Sequence, residues 1–328
     1  MVRIAVDAMG GDNAPGAVVR GAVQALADID CHLTLIGDEA LIRAEFDSLN
    51  GNAERVEVVH TSESIGMDES PVEALRQKQD ASLMRMAKLA AAGEVDVVIS
   101  AGNTGACAAA CQLKMKPLEG VSRPGIAVTI PSYGGPFVLC DVGANIQAKP
   151  RHLYEYAVMA TLYAEKVVGI ENPRVGLMSI GEESRKGTDL VKQTHELLAG
   201  DSEINFTGNV EGEDLFQNRC DVAICDGFVG NIALKFMESL AEGLFNTIAR
   251  ELQSEQGETG DSVKAALDRV WAQHNYSEYG GAPLLGVDGV CIICHGRSDE
   301  RAIRNAVRTG EMFHRTGFND AIRSRLAG

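Results

Sequence analysis

Two stretches of the chain carry the same chemistry-bearing phrase. Asp96–Ala108 reads D-V-V-I-S-A-G-N-T-G-A-C-A and Asp221–Ala233 reads D-V-A-I-C-D-G-F-V-G-N-I-A, matching at six of thirteen positions without a gap. Each joins a short apolar run, suited to a buried strand, to a G-x-x-G turn and a small-residue helical start. Glycine lets main-chain N–H groups approach a ligand, and the first turn of a helix adds unpaired donors and a positive dipole end. The chemistry this pattern suits is anion binding, through Gly102, Asn103, Thr104 and Gly105 in one copy and Asp226, Gly227, Gly230 and Asn231 in the other. Two such turns at one edge of a sheet would form a two-walled pocket; ordinary strand–helix turns would show the same spacing.

Further polar turns follow predicted strands: Ala8–Asp12, with Gly10, Gly11 and Asp12; Asp141–Asn145; Gly181–Gly187; and His295–Ser298. In an open α/β sheet such turns can converge on the crevice beyond the carboxyl ends of the strands. Asn103, Asn145 and Asn231 would then supply neutral donors for a phosphate or an oxyanion, although a single asparagine in a turn is usually turn chemistry. Lys186, in a loop with Glu182, Glu183 and Arg185, and Arg123, just ahead of a strand, are the candidate cations. Solvated charge is the competing reading for Lys186, and Arg123 could face either the crevice or solvent. His295 suits either an acid or a cap. No G-x-G-x-x-G opens the first strand–helix turn, and no G-x-S-x-G occurs. Nor is there a G-x-x-x-x-G-K-[ST], since Lys186-Gly187-Thr188 has the wrong order. Dinucleotide, P-loop and serine-hydrolase readings therefore lack their signatures.

The bulk composition narrows the field. A formal net charge of −16 over 328 residues argues against a nucleic-acid footprint and leaves an anionic substrate to be held by local donors. No apolar run approaches the roughly 18 residues of a membrane span, and Asp7 falls too early for a signal-peptide core, so a cytoplasmic chain is expected. Of eight cysteines only Cys291 and Cys294 form C-x-x-C, inside the strand-like run V-C-I-I-C. Alternation points those two to opposite faces, and Cys107 and Cys111 lie four apart on a predicted helix. Buried reduced thiols are favoured over structural zinc.

To position these turns the chain must alternate strands and helices. Strands are predicted at Val2–Asp7, His32–Ile36, Arg55–Val59, Arg174–Ser179, Glu203–Thr207, Val290–Cys294 and within both phrases. Gly125–Ile130 and Pro136–Asp141 form an inserted β-hairpin. Helices run from Pro15 to about Asp28, over Asp38–Leu49, Pro150–Val168 and Asp189–Ala199, and onward from Ser298. Another starts at the capping box Ser70-Pro71-Val72-Glu73 and continues to about Ala92. Phe236, Leu240, Leu244, Ile248 and Leu252 recur every fourth residue, giving one long amphipathic helix. A second helix is expected at Val263–His274, and Y-G-G-A-P-L-L-G-V-D-G reads as a glycine-rich loop. The sum is an α/β protein with a doubly wound, mainly parallel sheet, in a single domain over residues 1–328 with a helical protrusion at about 236–278.

Taken in order, A-V-D-A-M-G-G-D, S-A-G-N-T-G-A, D-V-G-A-N, G-N-V-E-G, C-D-G-F-V-G-N-I-A-L-K and Y-S-E-Y-G-G-A-P-L-L-G-V resemble the bacterial phosphate acyltransferases, from Ile4 to about Arg308. The resemblance implies a homodimeric α/β/α protein with a fold like phosphotransacetylases and isocitrate-type dehydrogenases. It implies transfer of an acyl chain from acyl carrier protein to inorganic phosphate, with no metal or nucleotide cofactor. It also implies that Lys186 and Asn231 serve the reaction. Phosphate is already a nucleophile, so the site needs to hold it against the thioester and stabilise the tetrahedral oxyanion.

The same resemblance implies peripheral contact with the inner face of the membrane through the helical pair. Against this, Glu251–Val270 carries five acidic residues beside Lys264 and Arg269, and the stripe from Phe236 to Leu252 could be buried in the core or in a dimer interface. An acidic carrier needs a basic patch, and Arg301, Arg304 and Arg308 share one helix face, with Arg297 nearby. A phosphotransacetylase using acyl-CoA, or a non-catalytic acyl- or anion-binding protein, are the alternatives.

Overall fold

The computed structural model describes residues 1–49, 53–132, 134–253 and 280–327. The chain begins with β1 (Val2–Asp7), α1 (Gly16–Ala25), β2 (Cys31–Gly37), α2 (Glu39–Asp47), β3 (Val56–His60), α3 (Pro71–Gln77), α4 (Ser82–Ala91), β4 (Val97–Ser100) and α5 (Thr104–Lys114). It continues through β5 (Gly125–Ile130), β6 (Phe137–Cys140), α6 (Pro150–Tyr163, extended by a π-helical turn), β7 (Val175–Met178), α7 (Asp189–Ala199), β8 (Phe206–Val210), β9 (Val222–Ile224) and α8 (Gly227–Gln253). It closes with β10 (Ala282–Leu285), β11 (Val290–Ile293), α9 (Glu300–Arg315) and α10 (Phe318–Leu326). The strands join in one eleven-stranded sheet of order β3-β2-β1-β4-β11-β10-β5-β6-β9-β7-β8.

Strand alternation builds an apolar layer on each face of this sheet. Val97, Ile99, Ala127 and Cys140 pack on one side beneath α1, α6 and α9. Val98, Ile126, Val128 and Leu139 pack on the other, beneath α4 and α5. Cys291 and Cys294 fall on opposite sides, as alternation requires, and all eight cysteines are buried and free.

Most sheet neighbours are parallel, but the centre is not. β10 runs antiparallel to both β11 and β5, and β5 runs antiparallel to β6. Consequently β1 to β4, β11 and β5 point one way, whereas β10, β6, β9, β7 and β8 point the other. The turns after β1, β4 and β11 therefore lie at one edge of the sheet, and those after β6, β9 and β7 lie at the opposite edge. This corrects the expectation that all the polar turns share a single edge. The cause is the β5–β6 hairpin: β10, a four-residue strand inside what reads in sequence as a glycine-rich loop, is antiparallel to both neighbours and leaves β11 and β5 in one direction, whereas β9, β7 and β8 follow β6.

Other differences have local causes. The helix expected from Ser70 to Ala92 is broken at Lys78 into α3 and α4, where Thr61 Oγ1 donates to the Asp80 carbonyl (2.6 Å), and Ser70 makes no side-chain cap bond. The strand expected at Glu203–Thr207 starts later, because Asp201 Oδ1 accepts from the Glu203 N–H (2.9 Å) and holds a turn there. The apolar stripe of α8 is not in the core of the chain: Phe236, Leu240 and Leu244 are 66%, 49% and 56% exposed. The helix expected at Val263–His274 lies outside the described residues. Among those residues no helix is long and apolar enough to cross a membrane.

Candidate active site

A cleft with about 750 Å³ of empty space, part of it open to solvent, lies on the sheet face over β10 and β5, where the two directions of the sheet meet. Its floor is apolar: Ile126, Val128, Val142, Ala282 and Ile293. One wall is the start of α5 with the turn after β11, contributing Thr104, His295 and Ser298. The other is the first part of α8, contributing Asn231, Leu234, Lys235 and Glu238. The two copies of the repeated phrase thus face each other across the cleft, each from its own edge of the sheet.

The first wall is held rigid by Asp7. This buried carboxylate accepts from Ser100 Oγ (2.8 Å), whose oxygen in turn accepts from the Gly102 N–H (3.0 Å). Burial pushes the Asp7 carboxyl up, opposed by its hydrogen bonds to Ser82 and Ser100. A side chain at Gly10 would come within 2.6 Å of both Asp7 Oδ2 and the Gly102 nitrogen, so only glycine lets these turns touch. Gly11 sits at φ +103°, and the Asp12 N–H donates to the Gly296 carbonyl (2.7 Å). Gly10, Gly11 and Asp12 therefore brace the wall from behind.

The three asparagines have different fates. Asn103 Oδ1 accepts from the Ala106 N–H (3.0 Å), capping α5, and its Nδ2 donates to the carbonyls of Met67 and Glu69 (both 3.0 Å). Asn145 Nδ2 donates to the Pro124 carbonyl (2.6 Å) and to Tyr156 Oη (2.7 Å). Both amides are committed inside the protein. Asn231 is exposed in the cleft, and its amide makes no hydrogen bond to the described residues.

The two helix ends differ in the same way. At α8 the first four N–H groups are committed: Gly227 donates to the Asn145 carbonyl (3.0 Å), Phe228 and Val229 to Asp226 Oδ1 (2.9 and 3.1 Å), and Gly230 to the Asp226 carbonyl (3.0 Å). At α5 the Thr104 and Gly105 N–H groups have no partner among the described residues. Of the two helix ends expected to offer free donors, only that of α5 has main-chain N–H groups without a partner among the described residues. The turn beneath α8 is itself fixed by Asp141, which accepts from the N–H groups of Ile126, Gly143, Ala144 and Asn145 at 2.7–3.1 Å.

Among the described residues the charged groups lining the cleft are Lys235 and Glu238, with Lys235 Nζ 2.8 Å from Glu238 Oε2. His295 Nδ1 accepts from the Arg297 N–H (3.1 Å), so a neutral ring carries its proton on Nε2. Burial holds the His295 pKa below the ordinary 6.5, and nearby Lys235 lowers it further. Sequence reading passed over Lys235 and Glu238, and named Ser298 only as the end of the polar turn His295–Ser298. The signal for Lys235 was its place four residues after Asn231, on the same helical face.

Lys186 and Arg123 are exposed and do not line the cleft. The Lys186 loop lies at the same sheet edge as the Asn231 turn, because β7 and β9 are parallel neighbours. Of the basic face, Arg304 and Arg308 both pair with Asp28 (2.6 and 2.9 Å), Arg297 pairs with Glu242 (3.3 Å), and Arg301 is exposed. Three thiols able to hold a metal come together at Cys107, Cys111 and Cys291, all buried and none lining the cleft.

The architecture is similar to solved phosphotransacetylases. That of Streptococcus pyogenes superposes with a TM-score of 0.66 at 16% identity, covering 95% of this chain and 94% of its own. That of Staphylococcus aureus gives 0.61 at 15%, with 95% and 94% covered. The fold is therefore the α/β/α architecture that the phosphotransacetylases share. Residues 2–321 match the model of the fatty acid synthesis protein family. The phosphate acyltransferase of Heliobacterium modesticaldum is 45% identical over all of this chain and 98% of its own length. That of Moorella thermoacetica is 46% identical, over 98% and 95%. The chain therefore belongs to the phosphate acyltransferase family of fatty acid and phospholipid synthesis, and it is an acyltransferase.

Proposed function

We propose that the chain transfers a long-chain acyl group from acyl carrier protein to inorganic phosphate by direct attack of phosphate on the thioester. The observation that supports this most is the cleft itself, which sets an apolar floor against a polar rim of Thr104, Asn231, Lys235, His295 and Ser298. A phosphate oxygen attacks the thioester carbon, the tetrahedral oxyanion collapses, and the carbon–sulfur bond breaks. Hydrogen phosphate and acyl thioester give acyl phosphate and the free carrier thiol, the phosphate proton ending on sulfur. The N–H groups at the start of α5 suit the phosphate, and the uncommitted amide of Asn231 suits the phosphate or the oxyanion. Lys186, at the neighbouring strand end, is proposed as a further cation for the developing charge.

In the same reading the exposed stripe of α8 meets a second copy of the chain or a membrane surface, and the face bearing Arg297, Arg301, Arg304 and Arg308 receives the acidic carrier in the cytoplasm. The defining assay mixes enzyme, long-chain acyl carrier protein and phosphate, and traps acyl phosphate with hydroxylamine. Phosphate-dependent hydroxamate with release of carrier thiol is the expected result. Turnover with acyl-CoA but not with the carrier would replace the carrier by CoA, and binding without turnover would sink the reaction. Asn231→Ala and Lys186→Ala should each lose about 10²–10³ in rate while remaining folded; near wild-type turnover removes that residue from the mechanism.

A further inference from the structure

Within the phosphate-transfer reading just given, the geometry points to the Lys235–Glu238 pair as the element that recognises phosphate, Lys235 by charge and Glu238 by the proton that phosphate carries. Among the described residues Lys235 is the cation lining the cleft, one helical turn beyond Asn231 and facing the start of α5. With a chain net charge of −16, an anion entering here gains nothing from the overall field and depends on this ammonium. Glu238 holds the ammonium at 2.8 Å, and it lines the same cleft. A helix-surface pair at this spacing contributes little to stability. A carboxylate placed where an anion must bind would only repel it, unless the anion brings a proton.

Hydrogen phosphate does bring one. Its P–OH donates to Glu238 while its charged oxygens accept from Lys235, Asn231 and the N–H groups of Thr104 and Gly105. Sulfate at neutral pH has acceptors only, so against an ionised carboxylate it sets lone pair against lone pair. The pair therefore admits phosphate and rejects sulfate. It also gives the phosphate proton a destination: as the P–O⁻ nucleophile bonds to the thioester carbon, Glu238 accepts the proton, which then passes to the departing sulfur.

The test uses steady-state turnover in the hydroxylamine assay with sulfate as competitor. Lys235→Ala should raise the KM for phosphate by about ten- to a hundredfold with the KM for the acyl donor little changed, and Lys235→Arg should recover part of the loss. Glu238→Gln replaces an acceptor by a group that can also donate. It should become sensitive to sulfate at concentrations at least about tenfold below those that affect the wild type. Both positions lie on a helix surface, and a thermal melt checks that each variant is folded. An unchanged phosphate KM in Lys235→Ala, or equal sulfate sensitivity in wild type and Glu238→Gln, overturns the inference. Wild-type enzyme with no phosphate-dependent turnover would instead overturn the reaction on which it rests, and the two failures are read from separate samples.

Discussion

Replacing Gly230 by alanine sets two opposing effects against each other. By helix propensity alone the change stabilises α8, since alanine is favoured over glycine by about 0.8–1.0 kcal/mol in a helix interior. Packing opposes it. A methyl at Gly230 would lie 2.9 Å from both the Asp141 carbonyl carbon and Cys225 Sγ, with the Asp141 carbonyl oxygen nearer still. These are backbone and core atoms tied by the four N–H bonds to the Asp141 carboxylate, so they do not yield; the start of α8 must. Overfilling a packed site typically costs about 1–3 kcal/mol; against the propensity gain this leaves a net destabilisation of up to about 2 kcal/mol. Asn231 is the next residue and moves with the helix. A displacement of roughly 1 Å at a reacting group can cost about 10²-fold, and a loss of that order in kcat/KM is expected. Gly243→Ala is the control: the same helix, with none of the described residues within 4 Å of an added methyl, and therefore only the propensity gain. Thermal melts and hydroxamate turnover of both variants provide the measurement. A Gly230→Ala protein as stable as Gly243→Ala and as active as wild type would refute the claim that close packing on the Asp141 turn positions Asn231.

Asn103→Ala should lose about 2 kcal/mol in urea unfolding, since a cap and the bonds to the Met67 and Glu69 carbonyls go together. A raised phosphate KM without that loss would make Asn103 a substrate ligand instead. His295 has a folded pKa below the ordinary 6.5, through burial first and Lys235 second. The unfolded chain then takes up the proton before the folded one does, so this residue's contribution to stability is full above pH 6.5 and declines as the pH falls below it. The wild type should accordingly lose more stability than His295→Gln between pH 7.5 and about pH 5, and parallel melting curves would dismiss the assignment. Leu240→Glu combined with Leu244→Glu should abolish self-association or liposome flotation of the wild type without lowering the melting temperature, since both side chains are already exposed. If neither property exists in the wild type, the stripe has no such partner.

Periodicity and capping carried most of the scaffold into view: the alternation, the central hairpin and the bounds of α7 are all legible in the residues. The strand that joins the two halves was not. A-P-L-L is a four-residue apolar piece between glycines, too short to announce a strand, yet it pairs with both β11 and β5 at the centre of the sheet. The site was half legible for a related reason. Asparagine in a turn looks the same whether it caps a helix, as Asn103 does, bridges two loops, as Asn145 does, or faces a cleft, as Asn231 does. Only the accounting of hydrogen bonds separates them. Asp226 likewise reads as part of an anion-binding turn, but its carboxylate occupies the donors an anion would use. Lys235 was hidden in the apolar rhythm of α8, although its spacing from Asn231 placed it on the same face.

The position of β10 and β11 has a consequence for how the chain is completed. These strands occupy the middle of the sheet but come from residues 282–293, after every other strand in the sequence. Until they are in place, β4 ends one half-sheet and β5 ends the other, each with an unpaired edge of the kind that recruits strands from other chains. The contacts that join the halves are among the longest-range in the molecule and so among the costliest to form. A chain stopped just before Ala282 would not be a slightly shortened enzyme. It would be two unjoined sheets, one carrying the α8 wall of the cleft and the other only the α5 part of the facing wall, without His295 and Ser298.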